Sequence, residues 1–134
     1  MILNLVTEIE VITVLSRGIP NEECIAIKAN DWVNLGQYGV MLGVYYKLDS
    51  AIPYQDNLFW FGDGLVEKND WIFIYTGDGR PTSSKTIDKH NNVYSLFWGK
   101  KNTIFANSNI VPILFRVDAV NVLRPQANLP QIGL

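Results

Sequence analysis

The chain has one cysteine and one histidine in 134 residues. A single thiol closes no internal disulfide, and a single imidazole builds no histidine-cluster metal site. Any serine or cysteine triad would have to use His90. No apolar run approaches the ~20 residues of a membrane helix. An excess of one charge is missing too. With 11 basic and 13 acidic residues the net charge is −2, so no global field draws the molecule onto nucleic acid or an anionic membrane. Met1-Ile2-Leu3-Asn4-Leu5-Val6 is apolar but has no basic n-region, and Glu8 and Glu10 interrupt it, so a secretory signal is not expected. Cys24 lies in an apolar alternation, where a buried, inert thiol is the default. A cytoplasmic protein without cofactor is the expectation.

Helical periodicity is almost absent as well. Short apolar runs rich in β-branched and aromatic residues are separated by glycine, proline and asparagine turns, the pattern of an all-β sandwich or barrel. Asp70-Trp71-Ile72-Phe73-Ile74-Tyr75-Thr76-Gly77-Asp78-Gly79 organises the rest. Trp71, Phe73 and Tyr75 point one way along an extended strand, and Ile72, Ile74 and Thr76 the other. Both faces are apolar, which predicts an interior strand, ended by glycines that tolerate positive φ.

Further strands are expected at residues 9–15, 23–28, 40–46, 58–61, 94–99 and 113–118, with residues 119–123 continuing the last or forming another. A short helix competes at 23–28. Residues 47–57, marked by Pro53, read as a connection. Residues 80–92 form the longest polar segment, a mobile or functional loop. One domain over 1–123 and an extended tail over 124–134, with Pro125 and Pro130, complete the layout.

Four pieces carry a family resemblance. Glu23-Cys24-Ile25-Ala26-Ile27-Lys28-Ala29-Asn30 resembles an opening strand that ends in asparagine. Val33-Asn34-Leu35-Gly36-Gln37-Tyr38 is similar to a valine-aspartate-leucine, glycine-tryptophan element, with Asn34 and Tyr38 as departures. The run from Asn69 to Gly79 resembles a strand ending in tyrosine-threonine-glycine-x-glycine. Tyr94-Ser95-Leu96-Phe97-Trp98-Gly99 and Ile104-Phe105-Ala106-Asn107 resemble a tryptophan-glycine and tryptophan-asparagine pair, with Phe105 in place of tryptophan. Together, over residues 22–123, they resemble the lamin-tail family of immunoglobulin-like β-sandwiches. Residues 109–118 lack the family's usual glycine-aspartate approach, and the 80–92 loop is long. The resemblance implies that sandwich and a binding or scaffolding role, with no catalytic residues to carry over.

Candidate chemistry is sparse. His90, in Asp88-Lys89-His90-Asn91-Asn92, reads as solvated, and a nuclease of the histidine-asparagine kind would need further histidines. Asp63, Asp70 and Asp78 sit beside glycines or strand ends, where aspartate bonds its own backbone; their spacing is not that of an EF-hand calcium loop. Gly77-Asp78-Gly79 lacks the helix and the lysine-serine pair of a phosphate loop. Arg80, Lys85, Lys89, Lys100 and Lys101 are expected to converge at one end of the sandwich, as a solvated rim or a surface for an acidic partner or single-stranded nucleic acid. Trp60, Trp71 and Trp98 read as core, and Trp32, beside Asp31, as the exposed tryptophan. The expected function is a non-catalytic binding or scaffolding module with a protein partner. A subunit of a homo- or hetero-oligomeric assembly, docking through its first strand or its tail, is one alternative. A hydrolase or nuclease pairing His90 with Asp78 or Asp88 is another.

Overall fold

The computed structural model describes residues 5–48 and 50–125; most of the expected tail, over 124–134, lies outside them. The fold is all-β, with ten strands and one 3₁₀ turn at Leu35–Gln37 among the described residues. The strands are β1 (Ile9–Leu15), β2 (Cys24–Ala29), β3 (Val33–Asn34), β4 (Tyr38–Lys47), β5 (Ser50–Trp60), β6 (Leu65–Val66), β7 (Trp71–Tyr75), β8 (Thr82–Lys85), β9 (Asn92–Phe97) and β10 (Ile110–Arg116). They form a five-stranded sheet in the order β1-β2-β7-β9-β8, a three-stranded sheet β10-β4-β5, and a small pair β3-β6.

The two larger sheets face one another across a shared core. Alternation sends Ile25 and Ile27 of β2 and Ile72 and Ile74 of β7 to the same side, because Ile25 is opposite Ile74 and Ile27 opposite Ile72. Val40 and Leu42 of β4 meet them from the other sheet, with Phe59, Leu96 and Leu114 packed alongside. Cys24 is buried, as expected; burial pushes its thiol up to about 12.

β7 has a strand on both sides, β2 antiparallel and β9 parallel. A two-layer fold covers only one face of it. Ile72, Ile74 and Thr76 are buried, whereas Trp71, Phe73 and Tyr75 lie half-buried on the outer face, so the expectation of two interior faces is corrected. These rings are screened by each other and by a neighbour: Trp71 stands edge-on to Phe73 at 6.0 Å, and Tyr75 stacks on Phe97 at 5.3 Å.

The parallel β7–β9 pair dictates the next connection. The chain leaves β7, passes over the end of β9, descends as edge strand β8 and returns as β9. Gly79 lies where it crosses Phe97; a Cβ at that position would meet the ring at 2.4 Å. The expected 80–92 loop is therefore half strand: β8 pairs with β9, and only residues 86–91 turn.

Three other expectations are corrected. Residues 47–57 are not a connection, since β5 begins at Ser50 and pairs with β4; Pro53 is tolerated because β5 is an edge. Trp60 is 43% exposed on the outer face of the three-stranded sheet, against Phe115. Residues 119–123 form no strand and are exposed, although Val120 and Val122 are β-branched; the last strand ends at Arg116. The 23–28 stretch is strand, not helix.

The passage from the five-stranded to the three-stranded sheet is held by two side chains of the β1–β2 turn. Glu23 is fully buried, and each of its oxygens accepts two hydrogen bonds: Oε1 from Thr76 Oγ1 (2.9 Å) and the Ile104 amide (2.7 Å), Oε2 from the amides of Gly18 (2.7 Å) and Phe105 (3.0 Å). Arg17 Nη1 donates to the carbonyls of Phe105, Asn107 and Ile110 at 3.2, 3.3 and 2.9 Å. At the other end of the core, Glu8 accepts from the Tyr38 hydroxyl and from Arg116 Nη1 (2.6 Å), and Arg116 also grips Asp118.

Three outcomes follow from the packing and ion pairs of this fold. Replacing Gly79 by valine should destabilise the fold by about 1–3 kcal/mol through overpacking against Phe97, read from urea denaturation. Gly64→Ala, where the nearest atom to a Cβ is 4.0 Å away, should stay within about 0.5 kcal/mol of wild type. Burial opposes ionisation of Glu8, but the Tyr38 hydroxyl and Arg116 overcome it and hold the carboxyl down at about 2, against 4.5 for a free glutamate. A folded-state value below the unfolded one means that the stabilisation is complete above pH 4.5 and is lost as pH falls towards 2. Glu8→Gln should flatten the dependence of the urea midpoint on pH across that window.

Candidate functional site

The outer face of the five-stranded sheet is built of rows. Lys28, Trp71 and Val93 lie side by side on β2, β7 and β9, followed by Ala26, Phe73 and Ser95, then Cys24, Tyr75 and Phe97. Small residues on β2 leave the β7 aromatics uncovered on that side. Over the first two rows lies a groove of about 780 Å³, floored by Trp71, Phe73 and Val93. Its rim carries Lys28, Asn69 and Lys85 with the turn residues Thr86, Ile87, Asp88 and Asn91. The volume falls within the ~300–1,000 Å³ usual for ligand pockets, and an apolar floor with a few polar groups is their usual make-up.

The turn at 86–91 forms one wall because buried Asp70 pins it. Asp70 Oδ1 accepts from the Asn92 amide (2.9 Å) and Asn91 Nδ2 (3.2 Å), and Oδ2 accepts from the Glu67 amide (2.8 Å). Asn91 Nδ2 also reaches the Lys68 carbonyl at 3.0 Å. Within the turn, the Thr86 hydroxyl donates to Asp88, the Asp88 carboxylate accepts from the His90 amide (3.0 Å), and Lys89 takes a left-handed φ of 62°. The Thr86 hydroxyl and the His90 amide hold the Asp88 carboxyl below its ordinary range. Ile87 projects from this wall fully exposed, an apolar side chain beside an aromatic floor.

The five predicted basic residues do not converge. The β8–β9 register sets Lys85 opposite Asn92 at the groove end, with Lys89 in the adjoining turn, while Arg80 precedes Thr82 at the other end. Lys100 and Lys101 follow β9 and share that far end, roughly 17 Å away at a rise of ~3.3 Å per residue. The reason is topological: β8 lies between Arg80 and Lys85 and sets them at its two ends. Lys100 is engaged, with its ammonium 5.3 Å from the Trp98 ring and 3.0 Å from Asn57 Oδ1. A hollow of about 160 Å³ beside it, lined by Thr76, Gly77, Lys101 and neighbours, is below ligand size.

Trp32 is 58% exposed, as expected, but does not line the groove. His90 is exposed and meets Asp88 only through its backbone amide, and Asp78 lies at the opposite end of the sheet beside Gly99. Neither proposed histidine–aspartate pair is assembled. Among the described residues no three histidine, cysteine or acidic side chains are placed to hold a metal ion, and no helix is long and apolar enough to cross a membrane. The groove residues outside the expected 80–92 loop, and so missed from the sequence, are Lys28, Asn69, Trp71, Phe73 and Val93. The available signal was the Trp71-x-Phe73 alternation, read as buried on both sides. Comparison with protein-family models, curated proteins and solved structures finds no match to this chain.

Removing the Asp70 carboxylate should free the wall of the groove. Asp70→Ala is expected to cost at least about 2 kcal/mol, since hydrogen bonds to charged groups are worth about 1.5–3 kcal/mol each, and to raise amide exchange at Asn92. Asp70→Asn, which keeps one acceptor, should lose less on both measures.

Proposed function

We propose that this chain is a non-catalytic binding module on an immunoglobulin-like sandwich of the lamin-tail type, and that its partner is a protein segment seated in the Trp71–Phe73 groove. Support for the fold type comes from the two facing sheets and from the tyrosine-threonine-glycine-aspartate-glycine run, which here carries the chain over β9. The observation that carries the function is the groove itself, with its aromatic floor and the ammonium groups of Lys28 and Lys85 on its rim.

The two floor rings meet at 79°. They make a cleft that grips a side chain, not a level platform on which a sugar or a base would stack. Ile87 adds apolar contact from above. The complementary ligand is an extended peptide with an apolar or aromatic side chain next to a carboxylate.

Selection from a displayed random-peptide library tests this. Retained peptides should be enriched in an acidic residue adjacent to an aromatic or large aliphatic one. Phe73→Ala should weaken their binding tenfold or more, as loss of an aromatic anchor does. Lys85→Glu should abolish the acidic preference, and rising salt should weaken the wild type but not Lys85→Glu. Peptides that bind equally well to both variants, with circular dichroism confirming their fold, would remove the groove from the function.

A further inference from the structure

The two large sheets have four edge strands, and they are unequally protected. β8 is four residues long and follows Pro81. β1 bulges between Val11 and Thr13 and carries Glu10. β10 contains Pro112. Short length, bulges, charge and proline are the devices that stop an edge from recruiting another strand. In β5, Pro53 guards the first half, and the register breaks before Leu58 pairs with Met41. Residues 57–60, Asn57-Leu58-Phe59-Trp60, have no proline, no charge and no interruption in their pairing with β4 beyond that point.

The same hairpin collects exposed apolar surface. Tyr45, Tyr46, Ile52, Tyr54, Leu58 and Trp60 are each 43–61% exposed. Alternation divides them between the two faces: Tyr45, Leu58 and Trp60 share the outward side with Gly39, Met41 and Gly43, whereas Tyr46 and Ile52, opposite Val44, lie on the other. With large side chains burying roughly 200 Å² apiece, half of that from the three outward residues is about 300 Å², within the range of the largest patch on an ordinary monomer, and a strand pair adds ladder hydrogen bonds to it. Tyrosine and tryptophan with little charge is also the composition of an interface centre.

We infer that β5 docks on β5 of a second copy of this chain. Residues 57–60 of the two copies run antiparallel about a two-fold axis and join two three-stranded sheets into one of six. An antiparallel pair of identical strands is self-complementary, as a two-fold interface requires. Leu58 and Trp60 lie on the outer face, where Trp60 already meets Phe115 at 5.9 Å; with the axis at Leu58 that side chain faces its symmetry mate, and the two copies' Trp60 side chains flank the pair. The surface is separate from the groove on the five-stranded sheet, so the inference stands whatever that groove binds.

Sedimentation velocity over a concentration series tests it. The wild type should be dimeric, and Leu58→Lys should weaken the dimer tenfold or more while leaving thermal unfolding of the monomer near that of wild type, since Leu58 is 54% exposed. Leu65→Lys, on β6, should leave the dimer intact. Leu58→Cys should form a disulfide-linked dimer under mild oxidation, because buried Cys24 does not compete; this decides the matter if Leu58→Lys fails to fold. A wild type that stays monomeric up to about 100 µM, the weak end of the affinity scale for specific association, would overturn the inference. So would a dimer indifferent to Leu58→Lys.

Discussion

The chain passes from one sheet to the other only once after β9, and a buried carboxylate governs that passage. Glu23 takes donors from the β1–β2 turn, from the end of β7 and from the loop ahead of β10, so three separate stretches meet at two oxygen atoms. Among the described residues no cation forms an ion pair with it. Arg17 is turned to the carbonyls of the same loop instead, with its guanidinium 5.7 Å from the Phe105 ring. One acid supplies the loop's acceptors and one base supplies its donors. Both come from a single turn, and Phe105 is thereby driven fully into the core. A buried carboxyl without partners would cost several kcal/mol; one with four donors fixes geometry, because each donor has nowhere else to bond.

Asp70 repeats the device at the opposite end of β7. It binds the 67–70 turn to the 86–92 turn, as Glu23 binds the 76 position to the 104–105 loop. The central strand is thus bracketed by two buried carboxylates: Glu23 fastens a loop that also plants Phe105 in the core, and Asp70 fastens a turn with no buried apolar side chain of its own. The backbone of the segment that the sequence presents as a long polar loop is tied to the sheet by these bonds, and the groove wall takes its position from them.

Much of the strand pattern was legible because alternation is a local property. β1 begins and ends where β-branched composition places it, and the centrality of β7 was readable from its apolar run. The errors share one cause. Sequence alone does not say how many layers a fold has, so Trp71 and Phe73 looked interior when the second face had no layer to cover it. Residues 47–57 looked like a connection because Pro53 and polar residues argue against a central strand; they form an edge strand, where both are permitted. The basic residues were expected together because the 80–92 and 100–102 segments both flank the strand at 94–98, but β8 sets Arg80 and Lys85 at its two opposite ends. Glu23 and Asp70 gave no local signal as anchors, since every group they bind is a backbone amide or a side chain brought near by the fold.

A two-layer fold with apolar residues at alternating and non-alternating positions has to leave some of them outside. Here the excess is not scattered. On the five-stranded sheet the outward aromatics follow β7 in a line, stacked edge-on or face-to-face on one another, with small residues on β2 keeping one flank open. On the three-stranded sheet Gly39 and Gly43 of β4 lie directly beneath Phe115 and Ile113, so that β10 side chains close over a strand that has none of its own there. That closure covers the β10 side of the sheet and leaves the β5 side bare. The outer surface is divided accordingly: aromatics that are walled in by a pinned turn form a concave site, and those along an unguarded edge form a flat one. Concavity suits an extended segment whose side chain can be enclosed, whereas a flat edge with free amides and carbonyls suits a partner that brings a matching strand.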